Sequence, residues 1–209
     1  MWRIVFLGPP GAGKGTQAAE FSRAHGIAHL SMGDLLRSAV ANRSPLGQEA
    51  DVYMRAGQLV PDELVLRLLK ERLGSPETRA GFILDGYPRN LAQARELERL
   101  TPIDRVISFD LPEAVLVERL SQRRVCPQCK TVYNLTTQPP KVAGHCDKDG
   151  SELIQRSDDR PDAIRTRLTV YARDTEPLLE YYRRKGILRS IDASGTPVEV
   201  AARLQAALT

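Results

Sequence analysis

Cysteines, aromatic residues and long hydrophobic runs are all scarce in this chain of 209 residues. Its three cysteines lie in one short stretch, and their odd number argues against a disulfide framework. No apolar run approaches the ~18 residues of a membrane-spanning helix. Aromatic residues make up 5% of the chain, whereas nucleic-acid-binding surfaces more often interleave aromatics with a lysine stripe. We therefore expect neither a membrane nor a nucleic acid as partner.

The composition is that of a soluble globular protein, with 42% apolar and 27% charged residues. The length allows one substantial core with insertions, or two modest domains. A strand-like run begins almost at the N-terminus and leaves no room for a signal peptide, so we expect a cytoplasmic protein. The net charge of +4 suits anionic ligands but does not by itself indicate nucleic acid.

A glycine-rich segment, Gly-Pro-Pro-Gly-Ala-Gly-Lys-Gly-Thr over residues 8–16, follows directly behind the apolar run 4–7. This order predicts a strand, a phosphate-binding loop and a helix. Glycines let backbone N–H groups turn toward phosphate oxygens, and the helix N-terminus adds its positive dipole end. Lys14 would reach the β- and γ-phosphates. The alternative is a glycine-rich turn with a solvated lysine.

The loop departs from the usual pattern after its lysine, where a Ser or Thr normally places a hydroxyl on Mg²⁺. Gly15 occupies that position and Thr16 follows. We therefore expect Thr16 to donate to a phosphate, and Mg²⁺ to be held by nucleotide, water and a carboxylate elsewhere. Asp85 ends a predicted strand, where a Mg²⁺-supporting acid sits in phosphate-loop enzymes. The alternative is a strand-end or helix-capping aspartate.

Strand-like and helix-like segments alternate along the chain. The predicted strands are Arg3–Leu7, Gly81–Asp85, Arg105–Leu111 and Ile187–Ile191. The predicted helices are Thr16–His25, Gly33–Asn42, Pro61–Leu73, Pro112–Arg123, Asp162–Arg184 and Pro197–Leu208. This alternation predicts an α/β fold, a parallel sheet covered by helices on both faces. Ligands of such sheets bind at the carboxyl ends of the strands, where the phosphate loop lies.

Two segments interrupt the alternation. Residues 31–60 read as a helical insertion, and residues 124–160, rich in Cys, Pro, Gly and Thr, read as a small separate lobe. The lobe contains Cys126, Cys129, Cys146 and Asp149 in the spacing C-x2-C-x16-C-x2-D, which matches a zinc ribbon with a carboxylate as its fourth ligand. Four protein ligands leave no open position, so the zinc would be structural. The alternatives are His145 as a competing ligand, or three reduced cysteines in a loop.

Arginines and carboxylates form a further constellation. Phosphoryl transfer needs positive groups around the transferring phosphate, and the planar guanidinium fork suits that task. Asp158 and Asp159 could pair with arginines or solvate a hinge. The amide of Gln93 can both donate and accept, as reading a purine edge requires. The arginines at segment ends or beside the small lobe are Arg37, Arg89, Arg119, Arg123, Arg124, Arg156, Arg160, Arg165 and Arg167.

Together these motifs resemble adenylate kinase over essentially the whole chain. They are the loop 8–16, Gly-Asp-Leu-Leu-Arg at 33–37, Leu-Asp-Gly-Tyr-Pro-Arg at 84–89, Arg119 with 123–124, and Arg156-x-Asp-Asp with Arg165 and Arg167. The resemblance implies a P-loop NTPase-type core (1–30, 61–122 and 160–209), a nucleoside-monophosphate-binding lobe (31–60) and a zinc-bearing lid (123–159). It implies a monomer that catalyses ATP + AMP ⇌ 2 ADP with Mg²⁺.

The resemblance also assigns site residues. ATP would contact Gly11, Ala12, Gly13, Lys14, Gly15, Thr16, Arg119, Arg123, Val132, Tyr133 and Gly195. AMP would contact Met32, Arg37, Gln58, Leu59, Val60, Gly86, Tyr87, Pro88, Arg89, Gln93, Arg156 and Arg167. The groups implied in catalysis are Lys14, Asp85, Arg89, Arg123, Arg156, Asp158, Asp159 and Arg167.

One residue departs from the family pattern, since Met32 stands where a threonine is usual beside the AMP base. The nearest alternative is therefore another nucleoside-monophosphate kinase, or a GTP-using relative that acts on AMP. An alternative of another class is a nucleotide sensor or zinc-ribbon nucleic-acid-binding protein with a vestigial loop. A GTPase fits less well, because no base-reading Asn-Lys-x-Asp occurs.

Overall fold

A parallel sheet forms the centre of the computed structural model, which describes residues 2–208. The strands are β1 (Trp2–Leu7), β2 (Ala28–Ser31), β3 (Gly81–Asp85), β4 (Arg105–Asp110), β5 (Arg123–Val125), β6 (Val132–Asn134) and β7 (Leu188–Asp192). Five of them pair in parallel in the order β2-β3-β1-β4-β7. The short strands β5 and β6 form a separate antiparallel pair. The predicted α/β class is thus confirmed.

Helices cover both faces of this sheet. They are α1 (Lys14–His25), α2 (Met32–Ala41), α3 (Pro45–Arg55), α4 (Asp62–Leu73), α5 (Leu91–Leu100), α6 (Glu113–Ser121), α7 (Pro161–Val170), α8 (Pro177–Arg184) and α9 (Pro197–Leu208). Within residues 2–208, no helix is long and apolar enough to cross a membrane.

Alternate residues of β1 divide the core into two layers, because successive side chains of a strand point to opposite faces. Ile4 and Phe6 pack with residues of α1, α6, α7 and α9. Val5 and Leu7 pack with residues of α2, α4, α5 and α8. Burial on both faces explains the continuous apolar runs in the sequence.

The structure interrupts the helix predicted over Asp162–Arg184. After α7, the segment Tyr171–Thr175 forms one turn of π-helix, in which the N–H of Glu176 donates to the carbonyl of Tyr171 at 2.9 Å. Pro177 follows and opens α8. Since proline has no N–H to donate, the wider turn accommodates the break while the chain stays helical.

The two insertions have structures of their own. Residues 31–60 contain α2 and α3, whose N-caps Ser31 and Ser44 accept from backbone N–H groups at 3.3 and 3.0 Å. Gly57 closes this segment at φ +71°, and a Cβ there would lie 2.8 Å from the carbonyl oxygen of Ala163 on α7. Only glycine permits so close an approach in this conformation. The pair β5–β6 lies within residues 123–159.

Candidate functional site

The glycine-rich loop connects β1 to α1 at the carboxyl edge of the sheet. The Lys14 ammonium donates to the carbonyl oxygens of Gly8 at 2.6 Å and Pro9 at 2.8 Å. Gly13, at φ +89°, caps α1 without a side-chain hydrogen bond, so the first N–H groups of the helix remain available to an anion. Burial lowers the pKa of Lys14 to about 8, although Asp85 opposes the shift.

Asp85 ends β3 and faces the start of α1. A Cβ on Gly15 would lie 3.2 Å from Oδ2 of Asp85, so a side chain in place of Gly15 would crowd the carboxylate. Burial favours the neutral acid, but His29 and Lys14 outweigh it and lower the pKa of Asp85. Asp85 is therefore an ionised carboxylate beside the phosphate loop, and its role in supporting Mg²⁺ stays a prediction.

His29 is a site residue that the sequence analysis did not find. Its Nε2 lies 3.5 Å from Oδ2 of Asp85, too far for a short hydrogen bond. The residue belongs to β2, which pairs with β3, and His29 lies opposite Ile83, two positions before Asp85. The four-residue strand β2 carries one buried residue, so its apolar signal was too weak to predict it.

Asp159 holds two of the predicted arginines. Arg123 donates to its two carboxylate oxygens at 2.7 and 2.5 Å, and Arg167 donates to Oδ1 at 3.0 Å. Asp158 lies 3.3 Å from Arg167. Asp159 is completely buried, while both arginines are 16% exposed. The expected pairing of these aspartates with arginines is therefore present.

Asp34 joins the lobe 31–60 to the same network. It lies 2.7 Å from Arg37 and 3.9 Å from Arg156. Burial raises the pKa of Asp34, but Arg37 outweighs it and brings the pKa to about 2. The Nε of Arg156 is buried without a hydrogen-bond partner, and burial together with Arg123 and Arg37 lowers the pKa of this guanidinium. Asp34 lies in a motif that sequence reasoning quoted, but was not assigned a role there.

We call this constellation the charge cluster. Its six cations are Lys14, Arg37, Arg89, Arg123, Arg156 and Arg167, and its four carboxylates are Asp34, Asp85, Asp158 and Asp159. The cluster thus has two cations more than it has carboxylates. Since uncompensated charge in a low-dielectric site is costly, the excess favours an anion with several oxygens, such as a polyphosphate.

The turn after Asp85 orients Arg89. The Tyr87–Pro88 peptide bond is cis, and Nε of Arg89 donates to the carbonyl oxygen of Gly86 at 2.9 Å. The Tyr87 side chain is buried, and its hydroxyl donates to the carbonyl oxygen of Gln93 at 3.2 Å. Tyr87 therefore belongs to the core, whereas Arg89 belongs to the charge cluster.

Several predicted nucleotide contacts lie elsewhere around the carboxyl edge. Arg119 donates to the carbonyl oxygens of Ala193 at 3.3 Å and Gly195 at 3.5 Å, so the two residues expected at the ATP base are neighbours. Met32 and Val60 are buried in the layer between the sheet and α4. The side chain of Gln58 is exposed.

Tyr133 does not present its side chain toward the charge cluster. It is buried with Cys126, Cys146 and Leu153 in the lid, and its hydroxyl accepts from the N–H of Asp147 at 2.8 Å. Of the expected contacts Val132 and Tyr133, the second is therefore limited to backbone atoms.

Four side chains of the lid converge as metal ligands would. The ligand atoms of Cys126, Cys129, Cys146 and Asp149 all lie within 4.8 Å of one another. The two pairs form equivalent turns, since the N–H groups of Lys130 and Gly150 donate to the carbonyl oxygens of Cys126 at 3.1 Å and Cys146 at 2.9 Å. In addition, the N–H groups of Cys129 and Lys148 donate to the sulfurs of Cys126 at 3.3 Å and Cys146 at 3.4 Å. Such donors stabilise thiolates.

Backbone conformation confirms the equivalence of the two turns. Each continues into a residue of positive φ, Lys130 at +61° and Gly150 at +70°. Asp149 thus occupies in the second turn the place of Cys129 in the first. His145 is outside the group, since its Nδ1 lies 3.0 Å from the carbonyl oxygen of Ala143. Three sulfurs and one carboxylate at this spacing suit a tetrahedral zinc.

Comparison with known proteins points to one family. The family model described as adenylate kinase matches residues 6–187. A protein named adenylate kinase from Thermodesulfovibrio yellowstonii is 50% identical over 203 residues, covering 95% of this chain and 94% of the relative. Adenylate kinases from Archaeoglobus fulgidus (50% identity, 91% of this chain and 90% of the relative) and Carboxydothermus hydrogenoformans (44%, 99% and 99%) are also similar.

Proposed function

Since the chain belongs to the adenylate kinase family, we propose that the phosphate loop and the charge cluster form its catalytic site. The family catalyses phosphoryl transfer from Mg-ATP to AMP, giving two molecules of ADP. The chain is accordingly a nucleoside-monophosphate kinase, a transferase that acts on ATP, AMP and ADP. The observation that carries the assignment of the site is the excess of two positive charges in the charge cluster.

The phosphate loop would hold the donor. Backbone N–H groups of residues 11–16 would surround the β- and γ-phosphates, and Lys14, which now donates to two carbonyl oxygens, would turn to the phosphate oxygens. Asp85, ionised beside the loop, would support Mg²⁺, which neutralises charge on the transferring phosphate when bound. Arg119 and the loop at Gly195 would frame the ATP base.

The lobe 31–60 and the turn 86–89 would hold the acceptor, and the amide of Gln93 would contact the AMP base. Arg37, Arg89 and Arg156 would bind the AMP phosphate, and Arg123 and Arg167 would stabilise the charge of the transferring group. The carboxylate of Asp34 now pairs with Arg37, and that of Asp159 pairs with Arg123 and Arg167. They would keep the forks oriented, so that little rearrangement accompanies transfer.

The lid would exclude water that otherwise hydrolyses ATP. Zinc on Cys126, Cys129, Cys146 and Asp149 would stiffen it, so that the lid moves as one body while segments 123 and 157–159 bend. Asp158 and Asp159, at that second segment, would link lid movement to Arg123 and Arg167. We also propose a cytoplasmic monomer.

A product assay tests the proposal. Purified protein with Mg-ATP receives AMP, GMP, CMP or UMP in separate reactions, and the nucleotides are resolved by chromatography. We expect phosphoryl transfer only in the reaction that contains AMP, where both products are ADP. We expect Arg156→Ala to lower the rate of this reaction by at least about 100-fold. Arg165→Ala, on the exposed face of α7, is the control and should leave the rate unchanged.

The same assay tests a broader acceptor range. Met32 is buried and has no hydroxyl with which to contact the acceptor base. Diphosphates from several acceptors would assign the protein as a general monophosphate kinase. If none of the four acceptors is phosphorylated, the catalytic assignment is contradicted altogether.

A further inference from the structure

Asp62, at the start of α4, contacts the amide of Gln93, which the proposed function places at the AMP base. Its Oδ1 accepts from Nε2 of Gln93 at 2.7 Å and from Nδ2 of Asn90 at 3.1 Å. The other end of the Gln93 amide is also occupied, because Oε1 accepts from the N–H of Arg89 at 2.7 Å. Gln93 is 3% exposed, so solvent does not compete for these contacts.

These partners leave only one orientation for the Gln93 amide. A carboxylate accepts and cannot donate, while a backbone N–H donates and cannot accept. A flipped amide would place its oxygen against the carboxylate and its NH₂ against the N–H of Arg89. Both contacts would then become repulsive. Of the two hydrogen bonds that hold the observed orientation, the one to the Asp62 carboxylate is the stronger, because it is charge-assisted.

The fixed orientation has a consequence for the base. Each end of the amide retains one unused group, a second N–H on Nε2 and a second lone pair on Oε1. Adenine presents an acceptor, N1, beside a donor, the 6-amino group. Hypoxanthine reverses this order, with a donor at N1 and an acceptor at position 6. An amide held in one orientation therefore matches one of these bases and mismatches the other.

We propose that Asp62 is a specificity-determining residue, which positions Gln93 for adenine and against 6-oxopurines. This inference rests on the proposed function, in which Gln93 contacts the AMP base. Asp62 does not touch the substrate in this role. It acts through Gln93, and it also ties Asn90, the N-cap of α5, to the start of α4.

Steady-state kinetics with AMP and IMP test this role, since the two acceptors differ only at N1 and position 6. We expect Asp62→Ala to raise the KM for AMP about tenfold and to narrow the kcat/KM preference for AMP over IMP by a similar factor. The kcat with AMP and the KM for ATP should stay within about twofold. Asp62→Asn retains an oxygen for Gln93 and should restore most of the preference.

Two control variants test whether the loss of acceptor preference is specific to Asp62, and a third replaces Asp62→Ala if that variant does not fold. Glu63→Ala removes the neighbouring exposed carboxylate from the same first turn of α4 and should change neither KM nor preference. Asn90→Ser keeps a helix-capping hydroxyl but removes the donor to Asp62, and should also retain the preference. Should Asp62→Ala fail to fold, Asp62→Glu displaces the carboxylate by one methylene and should narrow the preference in the same way.

The variant Gln93→Ala separates a failure of the role of Asp62 from a failure of the assignment of Gln93 to the AMP base. If Gln93→Ala raises the KM for AMP but the Asp62 variants keep the AMP preference of the parent protein, the role of Asp62 is overturned and the acceptor site stands. If Gln93→Ala leaves the KM for AMP unchanged, the base assignment and the role of Asp62 are both overturned.

Discussion

Burial gives single residues of this site properties that their side chains lack in water. Lys14 is held against two carbonyl oxygens inside the phosphate loop, and its pKa is lowered to about 8 chiefly by burial. Asp85 stays ionised despite burial because His29 and Lys14 face it. Gly15 leaves space beside that carboxylate. A cation that titrates near neutral pH therefore lies next to a carboxylate whose pKa is lowered.

The lowered pKa of Lys14 predicts proton uptake when ATP binds. Phosphate oxygens favour the charged ammonium and raise its pKa, so the complex holds a proton that part of the free protein lacks. Uptake should rise from about 0.1 proton at pH 7 to about 0.5 at pH 8, and affinity should fall above pH 8. Titration calorimetry of ATP binding in two buffers of different ionisation enthalpy measures the number of protons taken up.

Lys14→Arg is the matched control for this titration, because a guanidinium keeps the charge and does not titrate in that range. Buffer-independent heats at pH 8 in the parent protein would contradict the prediction.

At the scale of elements, short turns between the strands and helices position several residues of the site. The two cysteine-containing turns of the lid repeat one backbone pattern, ending at Lys130 and Gly150 with positive φ. The turn 86–89 and the start of α5 aim Arg89 and Gln93. The lid has only a small apolar cluster of its own, including Tyr133 and Leu153. We therefore expect its rigidity to depend on a bound metal.

Removing one of the four lid ligands should lower thermal stability more than it impairs nucleotide binding. We expect the parent protein to contain about one zinc per chain by elemental analysis, and Cys126→Ser to lose it. The melting temperature should fall by about 5–10 °C, a larger effect than the change in KM for ATP. Asp147→Asn alters a carboxylate of the same turn that lies outside the ligand group, and should retain the zinc.

A parent protein without zinc whose melting temperature matches that of Cys126→Ser would contradict the structural metal site.

At the scale of the whole molecule, the charge cluster joins three parts of the chain. Lys14, Asp85 and Arg167 belong to elements of the central sheet and its helices, Asp34 and Arg37 to residues 31–60, and Arg123, Arg156, Asp158 and Asp159 to residues 123–159. The contacts that cross between parts include Arg37–Asp158 and Arg156–Asp34, each 3.9 Å long. Nucleotide phosphates would therefore bridge all three parts at once, and binding would be coupled to closure.

We expect the protein to act as a monomer. Among the described residues, the most exposed large apolar side chains, Val52, Val142 and Val198, lie on α3, in the lid and on α9, as isolated positions on separate elements. Light scattering coupled to size exclusion should give a mass near 23.2 kDa at two concentrations about tenfold apart. A mass near twice that value at both concentrations would establish a dimer instead.

The sequence by itself determined the features that depend on local pattern. Continuous apolar runs marked β1, β3, β4 and β7, and the glycine spacing marked the loop around Lys14, because both signals arise within a few residues. The ligand spacing of the lid likewise predicted a cluster that the structure brings within 4.8 Å. The short strand β2 was missed because its apolar signal is weak, and α5 was not predicted either, whereas α3 lies in the segment predicted as a helical insertion.

Only the tertiary structure decided how distant groups meet. That His29 faces Asp85, that Asp34 joins Arg37 to Arg156, and that Asp62 fixes the Gln93 amide are results of packing between separate elements. No local pattern encodes such contacts, because each depends on strand order and helix placement over tens of residues. The same holds for charge, because arginines scattered along the chain form one cluster of excess positive charge only when folding brings them together and burial removes the water between them.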